Sequence, residues 1–118
     1  MYALPEIEVL RPRPGVAVVE CKGEHDMATR DQIRDLFAGL VAENDLVVID
    51  LSEAQFIDSS FLLNLVRAHR ASQKRGTTMC LQVGTDRIVS RMLEISEILT
   101  VIDSARSREE ALAKAVSG

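Results

Sequence analysis

The segment Leu46-Val47-Val48-Ile49-Asp50-Leu51 decides the fold class, because it is apolar at nearly every residue and β-branched at three of them. A strand with one wet face alternates polar with apolar residues. An unbroken apolar run of this length is instead a strand covered on both faces, as in a parallel sheet layered with helices. Upstream, Val16–Cys21 (VAVVEC) is a second strand, and Pro14-Gly15 before it reads as a hairpin turn back to Ile7–Leu10. Between these strands and the central run, Ile33, Leu36, Phe37, Leu40 and Val41 repeat at helical spacing. Thr29 and Gln32 have the spacing of a capping box at the start of that helix, and Asn44-Asp45 ends it.

Downstream the alternation continues. A helix over about Ser59–Lys74 places Leu62, Leu65, Val66 and His69 on one stripe and stops at Arg75-Gly76. Thr77–Val83 is the next strand, and Thr85 opens a helix through Ile88, Met92 and Ile95. Thr100-Val101-Ile102 is a short strand, and Ser107 with Glu110 caps a terminal helix through Leu112 and Val116. The order β-β-α-β-α-β-α-β-α predicts an α/β fold: a mixed sheet of four to five strands with about four helices, residues 1–118 forming a single domain.

Composition narrows function mainly by exclusion. With 118 residues the chain can bury roughly two thirds of its unfolded surface, enough for a core without disulfides or metal. A net charge of −4, with one Tyr and no Trp, argues against a nucleic-acid surface, which needs clustered Lys and Arg. Met1–Leu10 has no positive n-region and carries Pro5, Glu6 and Glu8, so no signal peptide is expected. The longest apolar runs are far shorter than the roughly 20 residues of a membrane span. A soluble, cytoplasmic protein with no membrane insertion is the expectation. Cys21 and Cys80 fall in strands and read as buried free thiols.

No catalytic chemistry emerges. His25 and His69 have no HxxxH or CxxC partner, so neither suggests a metal site, and a structural or surface role suits each. Phosphate-binding glycine loops, GxSxG and a Cys–His pair are all missing, which predicts no enzyme, no cofactor and no metal. Asp50, at the end of the central strand, lies where parallel sheets bind ligands. It equally suits a strand-end acceptor of backbone hydrogen bonds.

One junction stands apart. Phe56-Ile57-Asp58-Ser59-Ser60 carries an apolar strand end directly into a helix, with three residues suited to N-capping in a row. One cap, worth about 1 kcal/mol, would explain Asp58 or Ser59 but not all three. A helix N-terminus presents free N–H groups and partial positive charge, so a seryl phosphate there is electrostatically favourable.

The sequence resembles the STAS domain of bacterial anti-sigma factor antagonists. Gly23-Glu24-His25-Asp26 followed by Thr29 is similar to that family's G-E-x-D-x-x-T stretch, and Leu46–Leu51 with Phe56-Ile57-Asp58-Ser59-Ser60 resembles its central strand and D-S-S motif. The resemblance implies a binding module that acts in transcription regulation. It would sequester an anti-sigma factor with serine kinase activity and let go when Ser59 is phosphorylated, with a phosphoserine phosphatase as the restoring partner. Asp26 would lie beside Ser59, and Asp58, Ser60 and Phe61 would join it in contacting the partner. A second copy of the chain is a further candidate partner. Where the family has glycine after D-S-S this chain has Phe61, which suits either an exposed anchor for a different partner or a core position. The exposed option favours the alternative function, a STAS scaffold or regulatory subunit of a membrane transport or signalling complex that is not phosphorylated.

Overall fold

The computed structural model describes residues 6–116; Met1–Pro5, on which part of the signal-peptide reading rests, lie outside the described residues. Strands β1 (Ile7–Arg13) and β2 (Val16–Cys21) form the expected hairpin, antiparallel, with Val9 opposite Val19. Helix α1 (Arg30–Glu43) leads to β4 (Leu46–Asp50), helix α2 (Ser59–Arg75) to β6 (Thr78–Gln82), and helix α3 (Arg87–Ile95) to β7 (Asp103–Ala105). Helix α4 (Arg108–Leu112) follows. The main sheet has the order β1-β2-β4-β6-β7, parallel from β2 onward.

The central run behaves as its composition requires: all five residues of β4 are buried. Val47 and Ile49 join Ala17, Val19, Met79 and Leu81 in a core that α1, α2 and α3 cover. Leu46 and Val48 join Val16, Val18 and Cys80 on the opposite face, under Ala111 and Leu112 of α4. Cys21 and Cys80 are buried free thiols, and burial pushes the Cys80 thiol up to about 11.

Several local expectations are corrected. A second, two-stranded parallel sheet pairs β3 (Gly23–His25) with β5 (Ala54–Ile57). These segments are three and four residues long and half polar, too short for a period to show. The last strand is Asp103–Ala105, while Ile98–Thr100 forms a 3-10 turn. Thr29 makes no side-chain cap; a 3-10 turn over Met27–Thr29, capped by Asp26, precedes α1 instead. Asp86 rather than Thr85 caps α3, accepting from the N–H groups of Ile88 and Val89. Buried positions on α2 are Phe61, Asn64, Leu65, Ala68 and Ser72, so its inward face is turned from the stripe read in the sequence. On α3 the buried residues are Val89 and Leu93, and Ile88 and Ile95 face solvent.

One polar cluster closes the far face. Glu20, Asp50 and Gln82 stand level on three neighbouring strands. Arg108, from the first turn of α4, donates to all three: 3.0 Å to Glu20, 2.6 Å to Asp50 and 2.9 Å to Gln82. Asp50 also accepts the N–H of Ser52 at 2.8 Å. It therefore is a strand-end acceptor, with a guanidinium partner added. Because the Asp50 side chain is only 5% exposed, removing that partner leaves a buried charge unpaired. Arg108→Ala is expected to destabilise the domain by about 3 kcal/mol, read as a lower urea midpoint at neutral pH. Lys114→Ala, whose pair with Asp103 is 3.8 Å long at an exposed carboxylate, should shift it by no more than about 0.5 kcal/mol.

Candidate functional site

The site forms where the small sheet meets the first turn of α2. In the parallel β3–β5 pair His25 stands opposite Ile57, and the N–H of Asp58 donates to the His25 carbonyl at 3.3 Å. The next residues along the two strands, Asp26 and Asp58, are thereby neighbours, at the roughly 5 Å spacing of adjacent strands. Gly23 makes the turn into β3: its φ is +72°, and a Cβ there would collide with the Glu6 carboxylate.

Each carboxylate caps a different turn. Asp26 Oδ1 accepts the N–H of Ala28 at 2.9 Å and holds the turn entering α1. Asp58 Oδ1 accepts the N–H of Phe61 at 3.1 Å and also the Ser60 hydroxyl at 2.6 Å. The two serines thus differ. Ser60 is half-buried with its hydroxyl committed to the cap, whereas Ser59 is exposed and its hydroxyl has no hydrogen-bond partner among the described residues. The structure brings Asp26, Asp58, Ser59 and Ser60 together at one corner.

Phe61 does not belong to that surface. It is 1% exposed, with its ring 5.3 Å from His25 and edge-on to Phe37 at 6.0 Å. The exposed-anchor reading is corrected: as the third residue of α2 it points inward, and its apolar ring fills the core beneath the serines.

Two further residues hold this corner: His25, for which the sequence suited a structural or surface role, and Asn64, which sequence reasoning missed. His25 is 3% exposed, and its Nε2–H donates to the Lys22 carbonyl at 2.8 Å, since a carbonyl can only accept. Burial lowers its pKa, the Lys22 hydrogen bond and the charges of Glu6 and Asp26 opposing only in part. Asn64, 2% exposed, donates to the Arg30 carbonyl at 3.0 Å and ties α2 to the start of α1. Nothing in the sequence marks Asn64. Among the described residues no group of three or more His, Cys, Asp or Glu is placed to hold a metal ion, and no helix is long and apolar enough to cross a membrane.

The model of the STAS-domain family matches residues 9–111. Among solved structures, the unphosphorylated anti-sigma factor antagonist SpoIIAA superposes with a TM-score of 0.78 at 17% identity, over 92% of this chain and 94% of that one. An anti-sigma factor antagonist from Mycobacterium paratuberculosis gives 0.79 at 24% identity, over 98% of both chains. Phosphorylated SpoIIAA from Bacillus gives 0.71 at 16% identity, over 92% of this chain and 97% of that one. At these identities the likeness is one of fold. No match was found among curated proteins.

Two outcomes follow from the geometry. Asp58→Ala removes the cap and releases Ser60, and should lower stability by about 1–2 kcal/mol in chemical denaturation, whereas Asp58→Asn, an equally good cap, should cost far less. His25 is held neutral by burial, so the stability it contributes is complete above its ordinary pKa of 6.5 and is lost as pH falls through the lowered folded value. The urea midpoint of the wild type should decline as pH drops below 6.5, and His25→Gln should remove that part of the decline.

Proposed function

The chain belongs to the STAS-domain family, and from that premise we propose that it is an anti-sigma factor antagonist switched by phosphorylation of Ser59. In its free-hydroxyl form it binds an anti-sigma factor that is also a serine kinase. The kinase transfers phosphate to Ser59 and the complex dissociates; a phosphoserine phosphatase resets the switch. The chain acts as a binding module, and the ATP and metal for transfer are the kinase's.

The observation that carries this reading is the difference between the two serines. Only Ser59 offers an exposed, uncommitted hydroxyl, because Asp58 holds Ser60. The surroundings suit the consequence. A phosphate on Ser59 adds about −1.5 to −2 charge at the N-terminus of α2, where the helix dipole favours it. Asp26 and Asp58 make the same corner acidic. A partner packed against the hydroxyl would then have to desolvate a dianion beside two carboxylates, which opposes binding without disturbing the fold. Structures of SpoIIAA in both phosphorylated and unphosphorylated forms, with this fold, are in keeping with such a switch. Phe61, the feature that favoured a scaffold that is not phosphorylated, lies in the core and leaves the corner's surface clear.

With the cognate kinase and ATP, mass spectrometry should find phosphate on Ser59 in the wild type and in Ser60→Ala, and none in Ser59→Ala. Ser59→Asp should weaken the complex by about tenfold or more. Phosphate on Ser60, or full affinity in Ser59→Asp, would sink the proposal.

A further inference from the structure

Ser59 lies at one end of a groove that the phosphoacceptor reading does not explain. The groove has a volume of about 570 Å³ and runs along α2 from Ser59 to Gln73, about 21 Å at the helical rise. Its opposite wall is the segment Ser96–Val101, which links α3 to β7. Leu62, Leu63, Val66, Ile98 and Val101 make it apolar; Leu63 is 44% exposed and Val101 63%. An apolar stripe left open on a helix is a surface made to be covered.

Charge gives the groove a direction. From Ser59 to Arg75, α2 contains no acidic residue, and past Leu63 its exposed charges are Arg67, Arg70, Lys74 and Arg75. No carboxylate among the described residues lies within salt-bridge distance of these four, whereas Arg30 and Arg34 on α1 pair with Asp31 and Asp35. Arg67 faces the α1 side and Arg75 donates to the Ala42 carbonyl at 2.6 Å, so the cation that the groove presents is Arg70. Glu97, on the opposite wall, is the one carboxylate in the lining, so an incoming acidic group is directed toward α2.

We propose that this groove seats an amphipathic segment of the anti-sigma factor, apolar where it meets Leu63 and Val101 and acidic where it meets Arg70. The inference rests on the function proposed above and extends it from the phosphoacceptor to the surface that recognises the partner. Recognition follows the helix-in-groove mode, in which apolar anchors supply affinity and flanking charges supply register and orientation. Because Ser59 lines the same groove, a phosphate on it charges one end of an apolar seat. Release and recognition then share one surface.

The test titrates the full unphosphorylated chain, by calorimetry, against purified anti-sigma factor kinases from the same genome, and follows Ser59 phosphorylation in parallel. Leu63→Glu and Val101→Glu, both at exposed positions, should each weaken the complex by about tenfold or more. Arg70→Glu should weaken it by about fivefold and reduce its salt dependence. Ile88→Glu, an exposed apolar site on α3 outside the groove, should bind as the wild type does. A kinase that phosphorylates Ser59 yet binds the groove variants with wild-type affinity would overturn the docking inference and leave the switch standing. Failure of every kinase to bind or phosphorylate the wild type would sink both. If Leu63→Glu converts the isolated chain from dimer to monomer in sedimentation, the groove belongs to a second copy and the inference is likewise overturned.

Discussion

Burial of β4 on both faces is the constraint from which the architecture follows. Its five residues are inaccessible because two separate cores press on them, one built with α1, α2 and α3 and the other with α4. A strand so placed holds a polar residue only where a partner meets it, as Arg108 meets Asp50, and it has no free edge, since β2 and β6 pair along both sides in parallel register. Parallel pairing forces every connection to cross over the sheet, and the connections carry the helices. The strand's C-terminal end also sets the site: the chain turns at Ser52, held by Asp50, and returns through β5 to start α2 at Asp58.

The functional corner depends on a smaller economy of hydrogen bonds. One carboxylate oxygen of Asp58 satisfies both an orphan N–H of α2 and the hydroxyl of Ser60, so capping and the selection of a serine are a single interaction. Asp26 caps the turn before α1 through the N–H of Ala28 alone, and backbone pairing between His25 and Ile57 fixes the distance between the two caps. Beneath them the His25 and Phe61 rings pack at a 38° tilt, so the polar surface rests on an aromatic floor. Phe61 fills that floor and takes no part in the face above it.

What was legible in the sequence was whatever has a strong local period or a capping signature. The Leu46–Leu51 run gave the parallel sheet, the Pro14-Gly15 turn gave the hairpin, and Asp58-Ser59-Ser60 stood out because three capping residues exceed what one helix start requires. The helix faces were harder to read, for a physical reason. Helix α2 carries two apolar arcs, and only one can face the core. The small residues Ala68 and Ser72, and Asn64 with its amide N–H bonded to the Arg30 carbonyl, lie on the buried arc, while Leu62, Leu63 and Val66 look onto the groove. Periodicity counts apolar side chains and is blind to which arc is covered. On α3 the same ambiguity applies: of the apolar residues that mark the helix in the sequence, Ile88 and Ile95 face solvent, while Val89 and Leu93 are buried. The Arg108 clamp was invisible for another reason: its partners are 58 and 88 residues away, and no pattern in a short window encodes them.

That excess of apolar surface bears directly on function. Folding alone would be served by polar residues at Leu63 and Val101, since neither is needed to fill the core. An exposed apolar side chain carries a solubility cost that a lone residue can bear but a grouped set cannot without a partner. The grouping here lies between α2 and the Ser96–Val101 segment, begins at the uncommitted Ser59 hydroxyl and has Arg70 along its wall. A covalent dianion at the start of that helix would alter the surface while leaving the interior untouched, because the cap is made by Asp58 and the floor by Phe61, neither of which involves the Ser59 hydroxyl. In the proposed switch the two requirements are separate: a frame beneath that Asp58 and Phe61 hold, and above it a face on which the Ser59 hydroxyl lies exposed.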